Sequence, residues 1–479
     1  MLNVLLRQAT NLFRHEITAT GRFNVTRAAH DTWRKLKMTD VPSRADPVIM
    51  KLDSPEFRSV FTPELQTVAE LFKKYDYELR IAGGAVRDIL MGKQPTDLDF
   101  ATNATPEQMK AMFTKEEIRM INEKGERHGT ITARINDKEN FEITTLRIDV
   151  VTNGRHAEVQ FTKDWLLDAN RRDLTINSMF LDLDGKVYDY FYGYDDLQKR
   201  RVLFVGNPAL RIQEDYLRIL RYFRFYGRIV DNPGDHDEAT IQAIKDNIDG
   251  LSRISGERIW SEWHKILTGN FVLELMLKLL ECGSSKHMGL PDEPDVENFR
   301  VVYQRASSKG VTLKPISLIT SLLRDEQDMI RLHERLKLSR SDRDLGLFLV
   351  QHKEYKPCEE SLKSYQRLVF IQPRVKHDVY RELVKELLRY RGATELVEEF
   401  ERWKIPQFPI SGNMLKEHVS KHTLIGSVVA ELKRIWLDED FKLTSEQLLE
   451  RIPSILSEVE QLEEERKALK ASQKRQKIK

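Results

Sequence analysis

The pattern of apolar residues changes close to Gly193, and this change constrains the fold more than any other feature of the chain. Before it, strand-like runs such as Leu79–Ala82 and residues 141–147 alternate with helical segments, which predicts a mixed sheet. After it, almost every segment repeats its apolar residues at helical spacing, and Pro and Gly fall mainly between segments. The sequence therefore predicts an α+β fold, with a small mixed sheet followed by an all-helical remainder.

Softer boundaries near Cys282 and Pro406 subdivide the helical part. Together with the basic first residues, they give five predicted segments: a leader over 1–49, the mixed unit over 50–192, and helical segments over 193–281, 282–405 and 406–479. The last segment ends in a basic tail that could touch RNA or act as a nuclear signal, although a solvated end is the favoured interpretation. A predicted helical stripe before this tail consists of Ile452, Ile455, Leu456, Val459 and Leu462.

The overall composition excludes several classes of protein. Lys plus Arg (77) nearly cancels Asp plus Glu (75), so a polyanion would have to bind a local basic surface. The two cysteines, Cys282 and Cys358, lie far apart without metal-ligand spacing, which argues against a disulfide framework or a zinc ribbon. The longest apolar stretches fall far short of the roughly 20 residues that cross a bilayer, so we expect no membrane partner.

The first 37 residues are basic and contain an apolar stripe. This composition is typical of a mitochondrial transit peptide, with a disordered basic leader as the alternative, and it predicts location in the mitochondrial matrix. A product that starts at Met38 or Met50 would lack the leader and would reach the cytoplasm and nucleus. The charged residues of the leader are Arg7, Arg14, Arg22, Arg27, Arg34, Lys35 and Lys37 against Glu16 and Asp31.

Two aspartates two positions apart, Asp97 and Asp99, lie in a predicted strand over residues 96–102. Successive side chains of a strand point to opposite faces, so both carboxylates would project to one side while Leu98 faces the core. Carboxylate oxygens suit Mg²⁺, and a metal pair can activate an attacking hydroxyl and neutralise a triphosphate, so we predict a Mg²⁺ site for nucleotidyl transfer. Glu142, on another strand-like run, is predicted either as a third catalytic carboxylate or as half of a structural salt bridge.

The turn after the strand-like run Leu79–Ala82 contains Gly83 and Gly84, and Arg87 follows one helical turn later. Glycines let backbone amides approach a phosphate, and an arginine adds a charge-assisted contact, so these residues are predicted to bind a triphosphate. The alternative role of the glycine pair is a tight turn. The segment is neither a Walker A loop nor a Rossmann fingerprint, because it lacks the Lys-Ser/Thr ending of the first and the third glycine of the second.

Two further clusters are predicted to complete a nucleotide site. In Arg171-Arg172-Asp173, Arg172 would hold triphosphate oxygens and Asp173 would accept hydrogen bonds from ribose hydroxyls, which favours ribonucleotides. The segment from Glu214 to Phe225 plots as a helix with an aromatic face and a row of arginines that ends beside Asp215. The row consists of Arg218, Arg221 and Arg224.

Asp215 and Arg218 would then read the base side by side. An aspartate accepts from an exocyclic amino group and an arginine donates to an adjacent ring nitrogen or carbonyl, so the pair fits cytosine and adenine and disfavours guanine and uracil. The alternative is a simple ion pair three residues apart on a helix, worth only about 0.2–0.5 kcal/mol.

Taken in order, the motifs Gly-Gly-x-x-Arg-Asp, Asp-x-Asp, Arg-Arg-Asp and Glu-Asp-x-x-Arg resemble those of class II CCA-adding tRNA nucleotidyltransferases. The resemblance covers roughly residues 51–267, with a weaker echo at 409–412. It implies a palm-like catalytic head, a neck that recognises the base, and a body and tail that bind tRNA. It also implies template-independent addition of C, C and A to the 3′ end of tRNA from CTP and ATP, by two-metal transfer that releases diphosphate.

The same resemblance assigns the site residues and two mobile segments. It implies Mg²⁺ at Asp97 and Asp99, and base reading by Asp215 and Arg218. Residues 189–193 resemble the hinge between head and neck, and residues 147–161 leave room for a flexible loop that helps the switch from CTP to ATP. The triphosphate, ribose and pocket contacts would come from Gly84, Arg87, Arg172, Asp173, Arg221 and Arg224.

Alternatives remain at this point. A bacterial-type poly(A) polymerase shares the head and neck motifs, but residues 125–130 read Gly-Glu-Arg-His-Gly-Thr and lack its basic-basic-Phe signature. A non-catalytic RNA-binding relative should have lost a metal carboxylate or the base-reading pair, and none is lost. Beside His236, Asp237 is predicted to cap a helix and not to bind a hydrolytic metal, and Trp260 and Trp263 are predicted to pack in the core.

Overall fold

The computed structural model describes residues 41–121, 123–153, 156–353 and 361–461. They form two compact units: the first runs to Gly289 and includes Arg335–Lys337, and the second comprises Leu290–Glu334 and the residues from Leu338. The division lies near the predicted boundary at 282, and the remaining boundaries stay predictions. The predicted leader over 1–37, the candidate start at Met38, Leu462 and the basic tail lie outside the described residues. The other candidate start, Met50, lies within β1 (Val48–Lys51).

The first unit is built around an eight-stranded mixed sheet, as the α+β prediction requires. Its strand order is β1-β10-β9-β2-β3-β6-β5-β4, in which β3 and β6 run parallel and the other neighbours run antiparallel. The strands are β1 (Val48–Lys51), β2 (Leu79–Ala82), β3 (Asp99–Thr102), β4 (Arg119–Ile121), β5 (Thr130–Ile135), β6 (Glu139–Thr145), β9 (Phe180–Asp182) and β10 (Lys186–Tyr188), with β7 (Arg147–Asn153) and β8 (His156–Phe161) forming a separate two-stranded sheet.

The centre of the sheet places the predicted motifs side by side. All four residues of β2 are buried, and the chain leaves the core directly into the glycine pair. Its neighbour β3 begins at Asp99, so the strand predicted over 96–102 is shorter than expected and Asp97 precedes it. On the other side of β3, Glu142 of β6 lies in register with Asp99.

Two expectations about the first unit need correction. The segment 147–161 was expected to leave room for a flexible loop, but its described residues form the paired antiparallel strands β7 and β8. The head was expected to begin at residue 50, but Val48 already pairs with Tyr188, and Arg44 Nε lies 3.6 Å from Asp189 Oδ2. The folded head therefore includes residues of the predicted leader segment.

Helices complete the first unit. Arg218–Ile229 has a fully buried aromatic face that includes Tyr222, Phe223 and Tyr226, as the helical plot predicted. In the described chain after Gly193, the one β contact is an isolated bridge of Phe204 to Leu174. The helices are α1 (Pro55–Arg58), α2 (Pro63–Lys74), α3 (Gly84–Leu90), α4 (Pro106–Lys115), α5 (Trp165–Asn170), α6 (Gly193–Gln198), α7 (Pro208–Glu214), α8 (Arg218–Ile229), α9 (Glu238–Asn247), α10 (Gly256–Leu267), α11 (Val272–Glu281) and α12 (Ser285–Met288).

The second unit is helical throughout its described residues. Phe370 and Trp436 centre a core to which the C-terminal stripe contributes Ile452 and Ile455. The echo at 409–412 starts a helix, where the Ser411 side chain accepts from Met414 N. The helices are α13 (Val296–Ser308), α14 (Pro315–Thr320), α15 (Glu326–Leu336, whose last two residues belong to the first unit), α16 (Arg340–His352), α17 (Leu362–Phe370), α18 (His377–Arg391), α19 (Thr394–Arg402), α20 (Gly412–Lys416), α21 (Ile425–Asp438), α22 (Ser445–Leu449) and α23 (452–461).

No helix within the described ranges has the length and apolar character needed to cross a lipid bilayer.

Candidate active site

A cavity of about 610 Å³ in the first unit gathers nearly all the predicted site residues. Glu142 is the predicted residue that does not line it. The lining includes Gly83, Gly84, Arg87, Asp97, Asp99, Arg172, Asp173, Asp215, Arg218, Arg221 and Arg224, which were predicted, and Asp88, Arg147, Asp149, Arg171, Asn177, Arg228 and Arg258, which were not assigned a role.

The two glycines after β2 differ in what they make room for. Gly83 has φ +67°, which strains any residue with a Cβ, and a Cβ there would lie 2.9 Å from Arg172 Nη1. A Cβ on Gly84 would meet only Arg87, at an ordinary 3.6 Å. Gly83 therefore leaves space for an arginine, while Gly84 opens the start of α3 toward the cavity.

Arg87 is held from two sides in α3. Its Nε and Nη2 donate to Asp88 Oδ1 at 3.0 and 2.9 Å, and its Nη1 donates to Asn177 Oδ1. On the other oxygen of Asp88, Arg228 Nη2 of α8 donates at 2.9 Å. Burial lowers the pKa of Arg87, and Asp88 opposes that shift. The guanidinium group is thus oriented before any ligand arrives.

Asp97 and Asp99 line the cavity, although only Asp99 lies in β3. Among the described residues, neither carboxylate forms a hydrogen bond or an ion pair. Partial burial raises the pKa of Asp99, repulsion from Asp97 adds to the shift, and attraction by Arg172 opposes it. The Asp99 side chain is nevertheless exposed, so its desolvation comes from the cavity walls that surround it.

Glu142 lies opposite Asp99 in the parallel pair β3–β6, so the two side chains project from the same face of the sheet. Glu142 is exposed, and the described residues give it no ion pair. The structural salt bridge that was its alternative role is therefore absent from the described part of the chain.

Asp168 organises the Arg-Arg-Asp cluster and was missed by the sequence analysis. It is almost fully buried on α5, where it accepts from Arg171 Nε at 2.8 Å, Arg172 Nη2 at 3.2 Å and Arg147 N at 3.1 Å. Burial would raise the pKa of Asp168, but the two arginines outweigh it and the pKa is lowered. The available signal was its position three and four residues before the double arginine.

Asp173 pairs with Arg221 of α8, whose Nε donates to Asp173 Oδ2 at 2.5 Å. Asp173 Oδ1 accepts from Leu174 N at 2.9 Å. Although burial opposes the shift, the charge and hydrogen bond of Arg221 hold the pKa of Asp173 at about 2. Two predicted nucleotide-binding residues therefore stabilise each other.

Asp215 and Arg218, the predicted base-reading pair, line the same cavity, but Asp215 does not lie on the predicted helix. Asp215 has extended backbone angles (φ −153°, ψ 106°) between α7 and α8, so the helical plot was wrong to include it. Asp215 pairs with Arg258 of α10, with Nη2–Oδ2 at 2.7 Å and Nη1–Oδ1 at 3.4 Å. In the described chain the side chains of Asp215 and Arg218 form no ion pair, although the Arg218 N–H donates to the Asp215 carbonyl at 3.0 Å, so the simple ion pair is excluded there.

Arg218 is fixed by three oxygen atoms of its surroundings. Nη1 donates to Glu214 Oε2 at 2.6 Å and to the carbonyl of Arg211 at 2.9 Å, and Nη2 donates to the carbonyl of Arg171 at 3.0 Å. Further along α8, Arg224 Nη1 donates to the buried Glu262 of α10. The predicted row of arginines is confirmed as a row of cavity-lining residues.

The residues that sequence reasoning missed are mostly partners from distant segments. Arg258 contacts Asp215 across 43 positions, and Arg228 contacts Asp88 across 140, so no local spacing could have shown them. Two other predictions were confirmed: Asp237 caps α9 by accepting from Thr240 N at 2.8 Å, and Trp263 is fully buried. Trp260 is half-buried beside it.

The geometry agrees with comparisons to known families. Residues 79–203 match the family model described as poly A polymerase head domain. Residues 236–289 match the model described as probable RNA and SrmB-binding site of polymerase A. Both matched segments lie in the first unit, which contains the cavity.

Solved structures show the same fold. The CCA-adding enzyme of Bacillus stearothermophilus in complex with CTP superposes with a TM-score of 0.65 at 22% identity, covering 85% of this chain and 100% of that one. The Thermotoga maritima CCA-adding enzyme complexed with tRNA gives 0.59 at 19% identity, covering 85% and 99%. At these identities the likeness establishes the fold.

Two animal relatives establish the family. The mouse protein "CCA tRNA nucleotidyltransferase 1, mitochondrial" is 51% identical over 408 residues, which are 84% of this chain and 93% of the relative. The human protein of the same name is 50% identical over 408 residues, with the same coverage. By this identity over most of both chains, the protein is an enzyme that belongs to the CCA tRNA nucleotidyltransferase family.

Proposed function

We propose that this protein adds C, C and A to the 3′ end of tRNA without a nucleic-acid template, using CTP and ATP and releasing diphosphate. One observation carries the proposal: the carboxylates Asp97 and Asp99 and the base-reading side chains Asp215 and Arg218 line the same cavity. A reaction centre and a selector for the incoming base are thus within reach of one nucleotide. The names of the mouse and human relatives support the same activity.

The donor chemistry of Asp97 and Asp99 fits Mg²⁺. Both offer hard carboxylate oxygens, and both are free of ion pairs within the described chain, so their oxygens are available to a cation. Among the described residues no group of three or more His, Cys, Asp and Glu could hold a metal by itself, so the triphosphate and water would complete the coordination. Mg²⁺ held by these two carboxylates would neutralise charge on the triphosphate and activate the attacking hydroxyl. Glu142, on the same face of the sheet, is proposed as the third carboxylate.

The triphosphate would lie along the guanidinium groups that face these carboxylates. Arg87 uses two nitrogens on Asp88 and one on Asn177, and the remaining N–H groups can donate to phosphate. Arg172 lies against Gly83 and keeps its charge balanced by Asp168. These arginines would orient the α-phosphate for attack by the 3′ hydroxyl of tRNA and stabilise the charge that develops on the diphosphate.

The ribose and the base would meet Asp173, Asp215 and Arg218. Each oxygen of Asp173 has one lone pair in use, on Leu174 N or Arg221, so a second lone pair can accept from a ribose hydroxyl. Cytosine and adenine offer an amino group to Asp215 and an unprotonated ring nitrogen to Arg218. Guanine and uracil would place an acceptor opposite Asp215 and a donor opposite Arg218. Each buried group left unpaired in this way would cost about 1–3 kcal/mol of binding free energy.

The test is to incubate the purified protein with Mg²⁺ and a tRNA that lacks its last three nucleotides, supply CTP, ATP or both, and sequence the products. Ordered addition of C, C and A is expected, with CTP alone giving two residues. Long A tails would instead identify a poly(A) polymerase, and absence of extension would contradict both. A variant with alanine at positions 97 and 99 controls for contaminating activity.

The mitochondrial names of the animal relatives support mitochondrial location. We propose in addition that an internal start gives cytoplasmic and nuclear forms. Fusing residues 1–49 to a fluorescent protein should direct it to mitochondria, and changing Met1 so that translation starts later should leave the product in the cytoplasm and nucleus. A mitochondrial signal from the shortened chain would contradict the leader assignment.

A further inference from the structure

We infer that Arg258, which lies outside the sequence motifs that define the site, is a positioning residue that sets base discrimination by holding the acceptor of the base-reading pair. The inference rests on the proposed function and names the group that determines its specificity. It is separate from the proposed metal and triphosphate contacts, because the side-chain partner of Arg258 among the described residues is Asp215.

The first support is the position of Asp215. It lies in the short extended stretch between α7 and α8, so no helix fixes its side chain. Arg258, near the start of α10, approaches both carboxylate oxygens, with Nη2 2.7 Å from Oδ2 and Nη1 3.4 Å from Oδ1. Both side chains are about three quarters buried, with 27% and 22% of their surface exposed. A planar guanidinium group on both oxygens fixes the plane of the carboxylate.

The second support is the number of acceptor positions that remain. Asp215 Oδ1 accepts from Leu217 N at 3.2 Å and from Arg258 Nη1, so both of its lone pairs are in use. Oδ2 accepts from Arg258 Nη2 and keeps one lone pair. The carboxylate therefore presents one acceptor toward the cavity, which matches the single amino group that cytosine or adenine presents on its base-pairing edge.

The third support is that the donor side is fixed separately. Arg218 is held by Glu214 and by two carbonyl oxygens, which occupy three of its five N–H groups and leave two for a base. None of these contacts involves Asp215. The Arg218 backbone N–H donates to the Asp215 carbonyl at 3.0 Å, which fixes the two backbones relative to each other. The position of the Asp215 carboxylate relative to the Arg218 guanidinium group therefore depends on Arg258, the charged side chain that pairs with Asp215 among the described residues.

Removing Arg258 would affect correct and incorrect nucleotides differently. A released Asp215 side chain could turn toward Arg221, whose charge already interacts with it, and would then no longer accept from the base. CTP and ATP would lose a hydrogen bond to a charged group. UTP and GTP, which have no amino group at that position on their pairing edge, would lose nothing there.

The experiment compares Arg258→Ala and Arg258→Lys with the wild type and with Arg253→Ala. Arg253 is an exposed arginine five positions earlier that stacks on Tyr216 and does not line the cavity, so it controls for loss of a positive charge in this region. The kcat/KM of single-nucleotide addition is measured for each of the four ribonucleoside triphosphates. The acceptors are a tRNA that lacks three nucleotides and a tRNA that ends in CC.

Arg258→Ala should lower kcat/KM for CTP and ATP by about 10- to 100-fold, the range for loss of a hydrogen bond to a charged group, while UTP and GTP change little. The discrimination ratio should fall by the same factor. Arg258→Lys keeps the charge without the two-pronged contact, so it should fall between Ala and wild type. Arg253→Ala should keep the wild-type ratio.

A parallel decrease for all four nucleotides would overturn the inference, since it would show a structural role only, and so would an unchanged ratio at an unchanged rate. If Arg258→Ala does not fold, Arg258→Lys and Arg258→Gln decide by the same ratio. Failure of the wild type to add C, C and A would refute the proposed function. An unchanged ratio in variants of an active wild type would refute this inference alone.

Discussion

The two walls of the cavity are built on opposite principles. The carboxylate wall, Asp97 and Asp99, has no hydrogen bond or ion pair to other described residues. In the arginine wall, which consists of the guanidinium groups that line the cavity, the arginines have fixed partners. Arg171 and Arg172 pair with Asp168, Arg218 with Glu214, Arg221 with Asp173, Arg224 with Glu262, and Arg258 with Asp215. The carboxylates proposed to bind a cation therefore have no partners in the described chain. The arginines proposed to bind the nucleotide are already oriented by the fold.

The strongest test of the carboxylate wall is Asp97→Ala or Asp99→Ala. Either change should lower kcat for nucleotide addition at least about 1000-fold, because several kcal/mol of charge stabilisation by the metal would be lost. The free energy of unfolding should stay within about 0.5 kcal/mol of wild type, since neither carboxylate has a partner to lose. Single-turnover extension and urea unfolding measure the two effects. A large loss of unfolding free energy with retained extension would show that these carboxylates act in folding and not in catalysis.

In the arginine wall, Asp168→Ala should damage stability and activity together. It leaves the buried cations Arg171 and Arg172 without their carboxylate, a change that costs about 3–5 kcal/mol of unfolding free energy. Urea unfolding checks the stability, and extension assayed at a temperature where the variant is still folded checks the activity. Asp97→Ala is the matched control, since it removes a cavity carboxylate that has no ion pair among the described residues. Equal stability of the two variants would contradict the distinction between the walls.

A smaller effect on activity is expected for a cavity arginine that is partly exposed to solvent. Arg228 pairs with Asp88 while 41% of its side chain is exposed, so Arg228→Ala should raise KM for CTP and ATP about 3- to 10-fold with little change in kcat. Arg200→Ala is the control, because Arg200 has a similar exposure of 43% and pairs with Asp231 away from the cavity. The same rise in KM in both variants would show a general effect of surface charge.

A final effect concerns the dependence of stability on pH. The pKa of Asp173 is about 2 in the folded protein, below its ordinary value of 3.8, so its pairing stabilises the fold above about pH 4. That contribution is lost as the pH falls from 4 toward 2. The difference in unfolding free energy between wild type and Asp173→Asn should therefore be largest near neutral pH and shrink in this range. Denaturant titrations at several pH values check it, and a difference that grows on acidification would contradict the assignment.

The contrast between the walls also explains how far the sequence could predict the site. Asp97 and Asp99 were found because two close carboxylates after a glycine turn are a local signal. The strand argument used for them was partly wrong, since β3 begins only at Asp99, yet both side chains line the cavity. Carboxylates that need no partners within the protein can be recognised from a short segment.

The arginine wall could be predicted only in part. Arg218, Arg221 and Arg224 follow helical spacing on α8, which the strong aromatic face made clear. The plot failed at Asp215, because Glu214-Asp215-Tyr216 contains no Pro or Gly to mark the break between α7 and α8. The partner Arg258 lies 43 positions later, and such contacts depend on how α10 packs against α8.

The same distinction between local signals and contacts of distant segments applies to the overall fold. The change at Gly193 predicted the sheet and the helices correctly, because periodicity is a property of each segment. The segment of β7 and β8 was expected to leave room for a flexible loop, since Asn153 and Gly154 resemble loop residues and the pairing with residues 156–161 is not visible in composition.

The turn after β2 has a consequence for how this chain can change over time. Gly83 and Gly84 are adjacent, but the space that Gly83 leaves is occupied by a guanidinium group from a segment far along the chain, whereas Gly84 borders only its own helix. A side chain at position 83 would meet both a strained backbone and Arg172, whereas a side chain at position 84 would meet only Arg87 of its own helix. Substitutions at these two adjacent positions are therefore limited by different parts of the chain. Position 83 is limited by the Arg-Arg-Asp motif as well as by its own backbone.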